Sequence, residues 1–450
     1  MARIKEMTSG KPLPLMVAFA LPLMLGNVFQ QMYTVVDTAI VGKALGVDAL
    51  AALGAVDWLN WMIIGMVQGL TQGFAIRMAK EFGARQYDML RKTVASSVVL
   101  SVFAAMLLVA VGQLLCRPVL QLLQTPERIL PMSLLYLRII FAGIPVVTGY
   151  NLLSAMLRAL GDGKTPLYAM IAASATNIVL DLVFVLVFHW GVAGAAAATL
   201  IGQLVSCIFC LVQLRKLEIL RLKKSDFAEN GKLSAKLLAL GTPMALQNCI
   251  IAVGGIIIQM VVNGFGVIFI AGFTSANKLF GLLEMAGASY GFAVVTYVGQ
   301  NLGAKKNERI KKGVNSAALL SLLTSIVIGA LMLLGGKLIL SCFISGTPEE
   351  YEGAMKVAYQ YLATMSIALP ALYFIHIYRS ALQGMGDTVQ PMISGILELF
   401  IRVSLVFILP ALIGSVGVFV AEVAAWIGAA VMQMIVYYLR IHRMLKKDAV

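Results

Sequence analysis

The sequence predicts an all-α membrane protein: twelve transmembrane helices in two six-helix bundles, related by pseudo-two-fold symmetry along the membrane normal. Three observations predict it. First, 60% of the 450 residues are hydrophobic and only 12% are charged, whereas a soluble domain carries about 25% charged residues. So few ionic groups cannot coat a water-facing surface, and lipid is the natural solvent. Second, the chain repeats itself. Gly161-Asp162 with Pro166 returns as Gly386-Asp387 with Pro391, and Pro145 returns as Pro370, all at an offset of 225. Gly83-Ala84, Lys92 and Leu100-Ser101 return as Gly303-Ala304, Lys312 and Leu320-Ser321 at 220, and Pro22 returns as Pro243 at 221. Near-constant offsets in an apolar chain mean two homologous halves. Third, 27 of the 35 Lys and Arg fall near residues 3–11, 77–92, 158–164, 215–236, 305–312, 379 and 440–447. This alternation between loops is the positive-inside pattern and places both termini in the cytoplasm.

Crossing the hydrocarbon core takes about 20 apolar residues. Twelve segments qualify: 13–42, 50–77, 93–116, 130–157, 165–188, 191–214, 237–263, 267–299, 314–343, 355–381, 391–411 and 416–439. The first follows a short basic stretch with no small-residue cleavage site, so it is expected to span rather than to be removed. Pro22, Pro145, Pro370 and Pro410 lie inside spans; each removes a backbone donor, and Pro22 is the candidate hinge. Trp58, Trp61 and Trp190 fit an interfacial belt. Six spans per half is an even number, so both halves enter from the same side. Residues 1–214 form the expected N-terminal lobe, 215–236 a basic cytoplasmic linker, and 237–450 the C-terminal lobe.

Composition and motifs exclude several classes. The net charge of +14 is dispersed among alternate loops, and a nucleic-acid partner needs a contiguous basic face. Five cysteines are an odd count, and Cys207 and Cys210 form their C-x-x-C within a span without redox or zinc context. Gly163-Lys164-Thr165 resembles the tail of a phosphate loop, but Arg158 stands where that motif needs glycine. No enzyme motif is present and no cofactor is expected.

Ionisable residues inside a bilayer are costly, so each is a functional candidate. They are Asp37, Arg138, Asp181, Lys278, Glu284, Glu398, Arg402 and Glu422. Tyr33 precedes Asp37 by four residues and Asn177 precedes Asp181 by four, so each pair shares a helix face. Thr199 follows in the next span. These residues offer oxygen donors, which hard cations prefer. At the local offsets Asp37, Asn177 and Asp181 map onto Ile258, Arg402 and Val406. The second half therefore lacks this cluster, and cation coupling is expected in the first. Glu398 and Arg402 are spaced as an i,i+4 ion pair. Together with Glu284, Glu422 and Met260 they are the candidates for a substrate cavity; methionine suits an adaptable apolar wall.

The stretch Gln31-Met-Tyr33-Thr-Val-Val-Asp37-Thr38-Ala-Ile-Val-Gly42, the paired Gly-Asp-x-x-x-Pro stretches, and Asn177 with Asp181 resemble the multidrug and toxic compound extrusion (MATE) family over essentially the whole chain. The resemblance implies a V-shaped, monomeric exporter of organic cations or amphipathic compounds in a cell inner membrane, driven by inward Na+ or H+. It implies that Asp37, Asn177, Asp181 and Thr199 handle that cation and would ligate Na+ in a sodium-coupled member. Some members carry an acidic residue in the seventh span; Leu246-Gln-Asn-Cys249-Ile-Ile-Ala-Val has none. The alternative is a flippase for lipid-linked precursors from the same superfamily. The excess of intramembrane acids over bases favours cationic cargo.

Overall fold

The computed structural model describes residues 4–228, 231–344 and 347–448. Every regular element among them is helical: α1 (Pro12–Leu45), α2 (Val47–Gly83), α3 (Tyr87–Leu122), α4 (Leu130–Ala142), α5 (Ile144–Ala159), α6 (Lys164–Asp181), α7 (Gly191–Arg215), α8 (Gly231–Asn263), α9 (Val267–Gly303), α10 (Asn307–Leu340), α11 (Pro348–Gly384), α12 (Val389–Ile413) and α13 (Val416–Asp448). Ten of these are long and apolar enough to span a bilayer alone, and α4 with α5 makes an eleventh as a pair bent by 47°. The remaining helix, α2, has 37 residues, about 55 Å at the α-helical rise; Asp57, Gln68 and Gln72 dilute its hydropathy. Leu114, Leu334 and Leu338 are each more than 75% exposed, as side chains facing lipid should be.

The chain divides into two compact units. One holds the residues up to Glu6 and Leu21–Asn248, and the other holds Met7–Ala20 and the chain from Cys249 onward. The division falls inside α1 and α8. The 215–236 segment forms two short 3-10 turns, Glu218–Leu220 and Lys224–Phe227. Residues 229 and 230 of it lie outside the described residues. Asp226 anchors the segment, accepting from Lys223 N–H at 2.7 Å and standing 3.6 Å from Arg91 Nε on α3.

The repeated motifs are helix punctuation. After α2, Arg85 takes φ 57°, and after α9 Lys305 takes φ 58°. The N–H groups of Arg85 and Gln86 close onto Phe82 and Glu81, while those of Lys305 and Lys306 close onto Leu302 and Asn301. Orphan carbonyls at the two helix ends are thus satisfied the same way. Gly161 and Gly386 adopt φ near 80°. The next residue then caps the following helix. Asp162 Oδ1 accepts from the N–H groups of Lys164 and Thr165 at 3.0 Å, and Asp387 Oδ1 from that of Gln390 at 3.2 Å.

Two departures from the sequence expectation matter. The segment 130–157 is broken at Gly143 rather than continuous. Leu200 of α7 stands 2.0 Å from where a Gly143 Cβ would lie, and Pro145 in the first turn of α5 cannot donate backward. Its repeat partner Pro370 sits inside an unbroken α11. The segment 165–188 is α-helical only to Asp181; Leu182–Val187 form a π-helical turn.

A stripe that the sequence reading passed over fixes α2 against α8 within the first unit. Gly65, Gly69 and Gly73 recur every four residues. A Cβ at Gly69 would meet Ala245 N at 2.6 Å, and one at Gly73 would meet Gly241 Cα at 2.3 Å. Asn248 Nδ2 donates to the Gly65 carbonyl at 2.7 Å. Small residues let backbones approach this closely. Gly73→Val is therefore expected to cost about 3 kcal/mol by overpacking. Gly54→Val on the same helix, where nothing lies within 4 Å, should leave the thermal midpoint of the purified protein near wild type.

Candidate functional site

Asp37 lies on α1 and is 8% exposed; Asp181 closes α6 and is fully buried. The two carboxylates interact directly, and Tyr33 senses both. α1 packs on α6 at Gly26, where a Cβ would make an ordinary 3.6 Å contact with Leu167 Cα. No protein donor among the described residues reaches Asp37 Oδ1 or either Asp181 oxygen. Ionised carboxylates can only accept. Their contact is therefore satisfied when a proton or a metal cation stands between them.

Asn177, one turn before Asp181, is 2% exposed, and neither its amide oxygen nor its nitrogen has a partner among the described residues. Gly202 of α7 admits it: a Cβ there would lie 3.0 Å from the Ala173 carbonyl oxygen and 3.3 Å from Asn177 Cβ. The Thr199 hydroxyl donates to the Ala195 carbonyl at 3.0 Å, so its proton is used within α7 and its oxygen keeps acceptor capacity. The sequence reading missed two members. Gln203, one turn after Thr199, interacts with the Tyr33 side chain, and Tyr136 of α4 senses Asp37, Asp57, Tyr33 and Asp181. Both carried a legible signal: Gln203 shares a helix face with Thr199, and Tyr136 lies 225 residues before Tyr361.

The second unit is different at the corresponding places. Arg402 stands where Asn177 does, and Gly254 stands where Tyr33 does. That exchange is steric: a Cβ on Gly254 would lie 2.7 Å from Arg402 Nη1. The Arg402 guanidinium donates to Glu398 Oε1 at 2.7 Å, so the i,i+4 pair forms, and Arg379 Nη2 reaches the other oxygen at 3.3 Å. The sequence reading counted Arg379 among the cytoplasmic basic residues. The structure instead buries its side chain to 14% exposure, because Glu398 supplies the counter-charge. Glu284 pairs with His376 at 3.5 Å, and Glu422 interacts with Arg402, Glu284 and Glu398. Lys278 is exposed on α9, and Met260 is 68% exposed on α8; neither makes a described contact with this group. Tyr361 donates to Asn277 at 3.1 Å. Pro22 is buried in an unbroken α1. Among the described residues no three His, Cys, Asp or Glu are grouped as a metal site, and all five cysteines are free.

A helical membrane protein with two repeated halves, one of which buries the Asp37–Asp181 pair among the described residues, has the plan of a membrane transporter. Comparison with known proteins specifies it. The MatE family model matches residues 22–183 and again 243–408, and the chain belongs to this family of membrane transporters. It is 28% identical to the probable multidrug resistance protein YpnP of Bacillus subtilis over 92% of each chain. It shares its fold with a MATE structure in the bent conformation, at 22% identity, TM-score 0.90, and coverage of 99% of this chain and 98% of that one. It likewise resembles a MOP superfamily transporter from Pyrococcus furiosus, described as having a binding pocket of reverse polarity that suggests a different function, at 22% identity, TM-score 0.92 and 98% coverage of both chains. Membership of a transporter family accounts for the absence of enzyme motifs.

The C-terminal charges give an ordering of stabilities. Glu398→Leu strands two buried guanidiniums and is expected to cost about 3–5 kcal/mol. Arg379→Leu leaves Glu398 paired with Arg402 and costs less. Thermal melts of the two purified variants check the order.

Proposed function

We propose that the protein exports organic cations or amphipathic compounds across the cell inner membrane in exchange for Na+ or H+. In this reading residues 1–214 carry ion coupling, 237–450 carry most of the cargo contacts, and 215–236 joins them on the cytoplasmic side with both termini. The cation is cargo too. It is held by Asp37 and Asp181, with Asn177, Thr199 and Tyr33 supplying oxygens. One observation carries the reading: two carboxylates from different helices interact in a membrane-spanning lobe, and among the described residues no protein donor reaches Asp37 Oδ1 or either Asp181 oxygen. An empty pair of charges in low dielectric is costly. Loading one cation removes that cost and so favours whichever conformation shields the site. An ion can shift the equilibrium only by its differential affinity for two states, and a site that pays to be both charged and dry provides that difference.

Pro22 is the proposed hinge. It leaves a carbonyl of the preceding turn without its helical donor, and it lies next to the point where α1 passes from one compact unit to the other. Glu284, Glu398, Arg402, Glu422 and Met260 are the proposed cargo-cavity residues. The flippase alternative gains little support, since the buried Arg379 and Arg402 are already engaged by Glu398 and so offer little free positive charge to an anionic precursor.

Asp37→Asn keeps the volume and removes the charge. In proteoliposomes it should reach the membrane folded yet lose dye efflux driven by an imposed Na+ or pH gradient, and whichever gradient drives the wild type identifies the ion. Wild-type efflux rates from the Asn variant would refute the assignment.

A further inference from the structure

Arg138 is an intramembrane charge that the carboxylate site of the first unit leaves unused. It follows Tyr136 by two residues on α4, roughly 200° round the helix. Tyr136 is buried toward Asp37 and Asp181, whereas Arg138 turns outward and is exposed. Its surroundings are exposed leucines: Leu135 on its own helix, and Leu114 and Leu115 on α3. Those neighbours face lipid, and so does Arg138. It stands eight residues (138−130) after the start of α4, about 12 Å along the axis. An arginine head without a counter-charge is costly at such a place.

A second guanidinium joins it. Gln113 Nε2 on α3 donates to the Arg138 carbonyl at 2.7 Å, and a Cβ on Gly112 would meet the Phe141 ring, so α3 and α4 pack side by side in opposite directions. Arg117 lies one turn beyond Gln113 on the same face of α3 and is also exposed. Helical side chains lean toward the N-terminus of their own helix. Arg138 therefore leans toward the 123–129 turn and Arg117 leans back from it, which brings the two heads together. Among the described residues neither has a carboxylate within 4 Å. Arg128 in the adjoining turn, by contrast, is taken by Asp48. The second unit differs too. At the repeat offsets Arg117 becomes Lys337 and Arg138 becomes Ala363. Lys337 sits over the Tyr359 ring at 4.8 Å, and Tyr359 donates to the Leu333 carbonyl at 2.9 Å. One half thus holds a single cation covered by its own tyrosine. The other holds two with no such cover among the described residues.

Two neighbouring positive charges on a lipid-facing wall require an anion, and the apolar surface beneath them requires hydrocarbon. An anionic phospholipid supplies both. We propose that Arg117 and Arg138 bind the phosphate of an anionic phospholipid in the leaflet on the side of the 123–129 turn. Its acyl chains run down α3 along Leu107, Val111 and Leu114, which are exposed at helical spacing. The arginine fork matches phosphate oxygens in pairs, and long basic side chains reach headgroups from within a span. The site lies five residues (143−138) before the Gly143 joint, so the lipid bears on the jointed α4–α5 pair. The inference is independent of the export reading.

Leu135→p-benzoylphenylalanine places a photoreactive group beside Arg138. The full-length protein carrying it is reconstituted in vesicles of equal parts phosphatidylglycerol and phosphatidylcholine and irradiated, and the lipid adducts are counted by mass spectrometry. Phosphatidylglycerol adducts should exceed phosphatidylcholine adducts by about fivefold for each arginine engaged. Arg117→Leu should lower that ratio, and adding Arg138→Leu should abolish the excess. The reference position is Leu412→p-benzoylphenylalanine on α12, where Leu412 is 72% exposed and residues 403–421 carry no charge; it should capture the two lipids equally. Equal capture at position 135 with both arginines present overturns the site, and that measurement needs no arginine variant to fold. So does an excess that survives the double substitution, or one that position 412 matches.

Discussion

The organising constraint is the cost of holding charge away from water. In a bilayer an ionised carboxylate without a partner is expensive enough that it persists only where something is gained. Asp37 and Asp181 are such groups, and much of the first lobe serves to keep them facing each other. α1 packs on α6 at Gly26, Gly202 lets α7 approach Asn177 closely, and the α-helical ladder gives way to a π turn immediately after Asp181. Such turns recur at functional sites, where an interruption of regular pairing re-aims a side chain.

The two halves solve one architectural problem with different electrostatics. Where the first lobe places an amide and an aromatic ring, Asn177 and Tyr33, the second places a guanidinium and a void-making glycine, Arg402 and Gly254. One substitution requires the other, since Tyr at 254 would occupy the space of the arginine. One tyrosine position repeats beneath the divergence: Tyr136 and Tyr361 correspond at an offset of 225, and Asp57 and Asn277 at 220. In each half this tyrosine adjoins the charged group. The ionic partners changed, and so did one of the helices that display them: α11 is unbroken where α4 and α5 are jointed.

Much of this was legible in the chain. Apolar length marks a span whatever its tertiary surroundings, and repeats fixed the element order. Asp37, Asn177 and Asp181 stood out because an intramembrane acid is conspicuous against leucine and valine. What stayed hidden was relational. Arg379 looked like another cytoplasmic base because its partner Glu398 lies on a different helix. Tyr136 and Gln203 are ordinary residue types; repeat offset and helix spacing mark their positions, and their roles emerge as α4 and α7 pack around the carboxylates. The break at Gly143 depends on Leu200, which lies 57 residues further along the chain, and no local pattern announces it. Helix ends were underestimated as well, because Glu, Lys and Arg continue a helix well beyond the apolar stretch.

The fate of the repeated proline has a mechanical consequence. Pro370 is carried within a continuous rod, whereas Pro145 follows a joint at Gly143 that bends the chain by 47°. A jointed helix flexes at its joint, and an intact one resists through its full ladder of hydrogen bonds. The softness is therefore concentrated in the half that houses the carboxylate pair, within reach of the Leu200 side chain that fills the gap. The opposite half is stiffer along the matching helix.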